Sequence, residues 1–461
     1  MNRRTTSSSD GGAVLILVLA FVTAVALVST VLINQTETNM KFTLVERQNQ
    51  KQVYAADAAV DYGIAQMQSN NGICGAGGGG VSSQAVPFAV NGRTPTWSCT
   101  PTPNTSGGGV FGSDWAMFLT GAHGAPVVKF NGSSTHYING SVYNAFDDTT
   151  GGPATWGVSN SAPLLIQNGT LQQHRASCPT PPDLTITGVG PSGKTKCTAT
   201  AYALPAPREG LAASPPAVAS PNPVASDATC ASFAPGRYTS APNLDPTKVN
   251  FFRGGVYYFD SIGKWALGGV KILGGTPQLG ETRRGGMTCS DPTQGGVLFV
   301  FGGSSYVATT GATTIELFPG NAAGGAGVSV YQVTATGNGW TASNPGANHP
   351  LISIDETGDN RIVMHGQIWA PNGSLQLTQG GGSSGFIEFR AGLVLADLSN
   401  VNSSSNSSNF FYVTGTRTVT VTGTGPPASG ETGATVTVTA VVAVSNDPTT
   451  VPARIASWRL S

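Results

Sequence analysis

The side chains best suited to chemistry are few and scattered. The five histidines, His123, His136, His174, His349 and His365, form no HxH, HExxH or HxxxH spacing, so the helical zinc-hydrolase pattern is missing. The densest constellation is Asp355, Glu356, Asp359 and His365 in IDETGDNRIVMHG. Its carboxylates could hold a hard cation such as Ca²⁺. The EF-hand spacing is absent, and a polar turn between two strands accounts for the same residues. Asp147-Asp148 in NAFDDTTGG reads the same way. GGSSY and QGGGSSGF lack the strand-to-helix setting of a nucleophile elbow. The Gly-rich runs GAGGGG and GNAAGGAG are not followed by the Lys-Ser/Thr of a phosphate loop. Polysaccharide cleavage needs paired carboxylates along one groove, and no such pair stands out. Trp97, Trp115, Trp156, Trp265, Trp340, Trp369 and Trp458 are spread singly, as core or rim packing rather than a sugar platform. The chain therefore reads as a non-enzyme with no cofactor.

Cysteine is the remaining reactive type. Cys74, Cys99, Cys178, Cys197, Cys230 and Cys289 contain no CxxC pair, which argues against a zinc ribbon or finger. An even number of well-separated cysteines outside the cytosol favours disulfides over buried thiols. Six cysteines allow 15 connectivities, of which neighbour pairing, 74–99, 178–197 and 230–289, is the expected one.

Composition agrees with an exported, turn-rich chain. Gly and Pro number 62 and 30 of 461 residues, and charged residues make up 10%, less than half of the usual proportion of about 25%. Lys+Arg and Asp+Glu are 23 each, so the basic face that nucleic-acid binding needs is absent.

What would position such a chain is its N-terminus. Ala13 to Ile33, AVLILVLAFVTAVALVSTVLI, carries no charge and as a helix would span about 31 Å, one bilayer hydrocarbon core. Arg3 and Arg4 precede it, which predicts a cytoplasmic leader over residues 1–12 and an extracellular body. A cleaved signal peptide would have a shorter apolar run and a small-residue cleavage site. Here the run flows without Pro or Gly into NQTETNMKFTLVERQNQKQVYAADAAVDYGIAQMQS, residues 34–69. Met40, Leu44, Ala55, Ala59, Tyr62 and Met67 mark one apolar stripe along this extension. Glu37 and Lys41 are spaced for a helical ion pair.

Gly11-Gly12 before the apolar run resembles the prepilin-peptidase site of type IV pilins, cutting between Gly12 and Ala13. Arg47 to Met67, RQNQKQVYAADAAVDYGIAQM, resembles the helix of PilX-type minor pilins. Major pilins carry a Glu at the fifth mature position, which here is Leu17. The resemblance thus implies a low-copy, tip or priming subunit rather than a filament repeat. It also implies close helix–helix contacts at small residues such as Ala20, Ala24 and Ala26.

From Asn70 the chain predicts a mainly-β body, β-helix-like or a layered β-sandwich. Residues 70–203 form a Gly/Asn-rich β region, and across the body Asn-Gly recurs before Ser or Thr at 131–133, 139–141, 168–170 and 372–374, read as tight turns between short strands. No fixed period emerges. The Pro-rich stretch 204–229 predicts an extended linker or surface excursion. Residues 230–461 follow with short apolar runs such as GGVLFVFGG and a Val/Thr-alternating tail, RTVTVTG and ATVTVTAVVAV. PGRYTS, GGVYYFD, IWAPNGSLQL, AGLVLADL and IASWRL resemble the β-helix-like region of actinobacterial surface and pilus-assembly proteins.

These readings imply a single-pass membrane protein whose partners are the membrane and other pilins or pilus-assembly proteins. An adhesin on a simple anchor, binding a surface ligand through its β body, is the competing class. A carbohydrate-active β-helix enzyme is the third.

Overall fold

The computed structural model describes residues 10–69, 74, 81–101, 115–122, 128–132, 136–146, 156–158, 164–167, 169–175, 184–187, 195–199, 203–205, 207, 210–277, 283, 286–289, 295–322, 325–345, 350–356, 360–379, 385–403, 411–414, 416–429, 434–445 and 454–460. One long helix, Asp10–Ser69, is followed by a body of strands. The helix contains no Pro to break it, and at 60 residues it measures about 90 Å.

Three ladders of parallel strands make up most of the body. The first runs Cys230–Phe233, Val249–Phe252, Lys271–Gly274, Thr314–Leu317, Arg361–Met364, Phe386–Phe389, Phe411–Thr414, His136–Asn139, Leu164–Gln167 and Leu184–Thr187. Ala225–Ser226 adds an antiparallel strand at its Cys230 end. The second begins with Gly236–Tyr238, Gly255–Asp260, Val297–Gly302 and Val328–Gln332 and ends with Trp115–Leu119, Ser141–Asn144, Leu171–His174 and Thr195–Thr198. The third joins Lys264–Gly268, Tyr306–Thr310 and Ile352–Glu356. The long strands Gln367–Gln379 and Leu393–Ser403 bend so that each serves the second ladder and then the third.

Consecutive strands visit the three ladders in turn, and their alternate side chains point to opposite sides. Phe252, Tyr257 and Trp265, one from each ladder, meet in a single core. The Phe252 ring lies 5.0 Å from Tyr257 and 6.0 Å from Trp265, and Phe299 packs 5.1 Å from Phe252. Each such buried aromatic contributes about 1.5–3 kcal/mol. The corners carry hydrogen-bonded polar side chains, as burial of backbone demands. Asn250, fully buried, donates to Asp245 and Lys271 carbonyls and accepts from the Asp245 amide.

Two of the Asn-Gly pairs serve as these corners rather than as hairpins, while Asn131-Gly132 ends the strand Val128–Gly132 and Asn168 lies outside the described residues. Asn139-Gly140 separates His136–Asn139 from Ser141–Asn144, which belong to different ladders, and Asn372-Gly373 lies at the bend of Gln367–Gln379. One turn of chain later Gly169 stacks on Gly140, where an added Cβ would lie 2.2 Å from the Gly140 carbonyl carbon. Hairpins of this type are Val90–Arg93, with positive φ at Asn91 and Gly92, and Gly337–Trp340, with positive φ at Asn338 and Gly339, as a type I′ turn requires. The missing period also has a cause. Val249 pairs with Lys271, Lys271 with Thr314 and Thr314 with Arg361, so successive turns of chain take 22, 43 and 47 residues.

The Pro-rich stretch divides the sequence but not the ladders. Residues 115–198 stack on the end of the ladders built by residues 230–414: Leu393–Leu395 pair with Met117–Leu119 and Tyr412–Thr414 with Tyr137–Asn139. The stretch then returns as a strap along the outside. Pro205 and Ala212 accept hydrogen bonds from Trp369 and Trp340, Ala217 and Ala219 bond to Arg237, and Ser226 reaches Lys248. Its described residues run along the outside of the ladders.

A separate antiparallel sheet has the order Val81–Ala85, Thr96–Pro101, Thr416–Gly425, Val436–Ser445, Arg454–Leu460. The two Val/Thr tail strands pair as expected, Thr416 with Ser445 through Gly425 with Val436.

Cys74 pairs with Cys99 and Cys230 with Cys289. Cys197 lies on Thr195–Thr198, and Cys178 lies outside the described residues. Each of these two disulfides closes within one half of the chain. A site-specific protease sequence placed in the exposed 212–214 stretch should therefore give two polypeptides that co-elute natively and separate on non-reducing denaturing gels. Dissociation on cleavage alone would show that the strap holds the halves together.

Burial lowers the His136 pKa from 6.5 to about 4. The unfolded chain then takes up this proton first as pH falls, so stability is full above about pH 6.5 and declines towards pH 4, by about 3 kcal/mol in total. Denaturant midpoints at pH 7 and 4.5 should show that loss, and His136→Gln should reduce it.

Candidate functional site

The feature that sets this chain apart is the contrast along one helix. From Leu15 to Ile33 its large apolar side chains are exposed, Leu17 at 71% and Phe21 at 68%. The stretch is long and apolar enough to cross a membrane. Its threonine hydroxyls need no outside partner: Thr23 donates to the Leu19 and Ala20 carbonyls and Thr30 to Ala26. Such back-bonding lets Thr enter an apolar medium. Ala20, Ala24 and Ala26 lie in this bare stretch and touch nothing in the body. Gly12 and Ala13 are helical in backbone; their side chains lie outside the description.

The last third of the helix is docked. Ala56, Ala59, Val60 and Met67 are fully buried against Trp97, Val419, Val421, Val438, Ala440 and Val442 of the antiparallel sheet. Glycines permit the close approach. A Cβ on Gly423 would lie 2.2 Å from the Ala56 carbonyl oxygen, one on Gly425 2.0 Å from that of Gln52, and one on Gly63 2.6 Å from the Trp97 ring. Gln52 also donates to the Ala434 carbonyl at 3.2 Å. The stripe expected along residues 40–67 divides here. Ala55, Ala59 and Met67 are buried and Tyr62 half-buried, whereas Met40 and Leu44 stay exposed with the expected Glu37–Lys41 ion pair. The sheet reaches the helix from Gln52 onward, so an apolar residue before that point has nothing of the body to pack on. Asp57 and Asp61, four apart, repel, and the Asp57 pKa rises through desolvation and then through Asp61.

The constellation around His365 is distributed differently from its sequence spacing. Asp355 and Glu356 lie on the third ladder opposite Thr378 and Gln379, Asp359 lies outside the described residues, and His365 follows a strand of the first ladder. His365 Nε2 instead meets Glu316 Oε1 at 3.1 Å, with Phe318 stacked on its ring at 4.1 Å. One further turn of chain carries the Arg390–Glu388 pair at 2.8 Å. All four charged groups are buried. Desolvation lowers the His365 pKa, and the Glu316 hydrogen bond opposes this in part. The arrangement is a buried polar network, closed to any substrate among the described residues. Sequence reasoning missed Glu316, Glu388 and Arg390; the available signal was a lone charge inside apolar runs, TTIELF and GFIEFRAG. No group of His, Cys, Asp and Glu suited to a metal ion occurs among the described residues.

Gly423→Val places a branched side chain where the helix backbone passes. Overpacking of this kind costs about 1–3 kcal/mol. The expected result is faster proteolysis within residues 52–67 and a lower denaturant midpoint, with the Cys230–Cys289 bond unaffected. No protein-family model, curated protein or solved structure matches the chain.

Proposed function

We propose that this chain is a membrane-anchored, minor-pilin-like surface subunit, with its N-terminus in the cytoplasm and its β body outside the cell. The observation that carries the reading is the division of one unbroken helix, bare and apolar from Leu15 to Ile33 and buried on a sheet from Gln52 to Met67. A helix made only to support the body would bury its apolar face throughout. The disulfides support an oxidising, extracellular setting for the body. The three ladders, visited in rotation around one core, favour a β-helix for the body over a layered sandwich.

In this reading the bare stretch rests in the bilayer until assembly and then buries the same surface among other pilin helices. Leu17 in place of an acidic residue fits a tip or priming role. Mass spectrometry of the mature protein should find Ala13 at the N-terminus after prepilin-peptidase action; retention of residues 1–12 in cells with that peptidase would remove the pilin reading and leave the adhesin on a plain anchor.

Packing gives a second test. Ala24→Leu keeps the segment apolar, so membrane insertion should persist. It crowds any close helix–helix contact, and co-purification with other pilins should fall severalfold. Unchanged co-purification, for this variant and for a poly-Leu replacement, would establish a simple anchor.

A further inference from the structure

The outer side of the second ladder carries a row of aromatic side chains that the core does not use. Tyr258, Tyr331 and Trp369 stand on the side opposite Tyr257 and Phe299. Trp340, from the Gly337–Trp340 turn, stacks 4.7 Å from Tyr258, and Tyr331 lies 4.6 Å from Trp369. From Pro205 to Pro215 the strap meets this row through side chains, and beyond it Ala217 and Ala219 bond to Arg237 at the end of the second ladder.

The contacts are those by which extended proline-rich peptides are held. Trp369 Nε1 donates to the Pro205 carbonyl and Trp340 Nε1 to the Ala212 carbonyl, each at 3.1 Å. Leu211 packs on the aromatic row, and the Pro215 ring comes within 3.1 Å of where a Cβ on Gly339 would sit. Indole N–H groups reading carbonyls beside proline rings recognise a backbone shape more than a sequence. The strap is also superficial: Leu204 is 44% and Val218 68% exposed. Tethered at both ends, it occupies the row at an effective concentration that a free ligand meets only in the millimolar range.

We propose that this aromatic row is a binding groove for extended, proline-rich polypeptide, which the strap fills in cis and keeps closed until it is cut or displaced. The exposed stretch Gly210–Ser214 is where a protease reaches it, and the halves stay joined through the ladders after the cut.

The test uses the full-length chain in detergent, with site-specific protease sequences inserted before Leu204 and after Ser220 so that the strap is excised after folding. A labelled peptide of residues 204–219 serves as probe in fluorescence anisotropy. The intact chain should bind none, and the excised chain should bind saturably. Trp340→Phe with Trp369→Phe keeps the rings but removes both donors and should weaken binding by about tenfold or more. Tight binding to the intact chain, no binding to an excised chain that keeps its melting transition, or binding indifferent to the two Phe substitutions would each overturn the proposal. So would binding of an oligosaccharide panel in place of the peptide. Should excision unfold the chain, the unexcised double-Phe variant decides: its cleavage within Gly210–Ser214 should quicken about tenfold at an unchanged melting temperature, and an unchanged rate overturns the groove.

Discussion

Everything outside the bare helix depends on one set of backbone hydrogen bonds, those joining residues 393–395 to 117–119 and 412–414 to 137–139. Each half of the chain alone ends in parallel strands with unpaired N–H and C=O groups, and such edges are costly when buried and adhesive when exposed. Stacking one half on the other satisfies both edges and runs the core unbroken from Phe233 to Ile166. The same closure brings Thr96–Pro101 beside Thr416–Gly425, which completes the sheet that receives the helix.

With so few charges, the chain places several of them where they brace the outside of the ladders. Arg237 bonds Asp260 and lies 5.9 Å from the Tyr258 ring while its backbone holds Ala217 and Ala219, which fixes one end of the strap. Arg390 and Glu388 form a second pair, and His365 hydrogen-bonds Glu316. Buried pairs of this kind are weak sources of stability but strongly destabilising to break. Arg237–Asp260 and Glu316–His365 each join one turn of chain to the next, so a strand shifted by one position would leave a buried polar group unmatched.

Much of this was legible in the residues. The apolar run, its continuation as one helix, the antiparallel Val/Thr tail strands and the two described cysteine pairs follow from hydropathy, alternation and spacing. The closure of residues 115–198 onto residues 393–414 was not legible, because parallel pairing leaves no local trace and the turns of chain differ in length by more than twofold. The split of the expected stripe, with Met40 exposed and Met67 buried, depends on where the sheet ends, which no helical periodicity encodes. Among candidate site residues, His365 stood out by its acidic neighbours, yet its partner is Glu316, 49 positions earlier, brought there by the winding.

The sheet that holds the helix is assembled from both ends of the chain, and this orders events in time. Residues 52–67 are synthesised long before Val419, Val421, Val438 and Val442, on which they come to rest. Until those residues are made, the helix waits beside an unfinished body, with Ala56 and Val60 uncovered. A chain truncated before residue 416 would never acquire the surface that seats it. Docking of the helix is thus a molecular record that synthesis has passed residue 442.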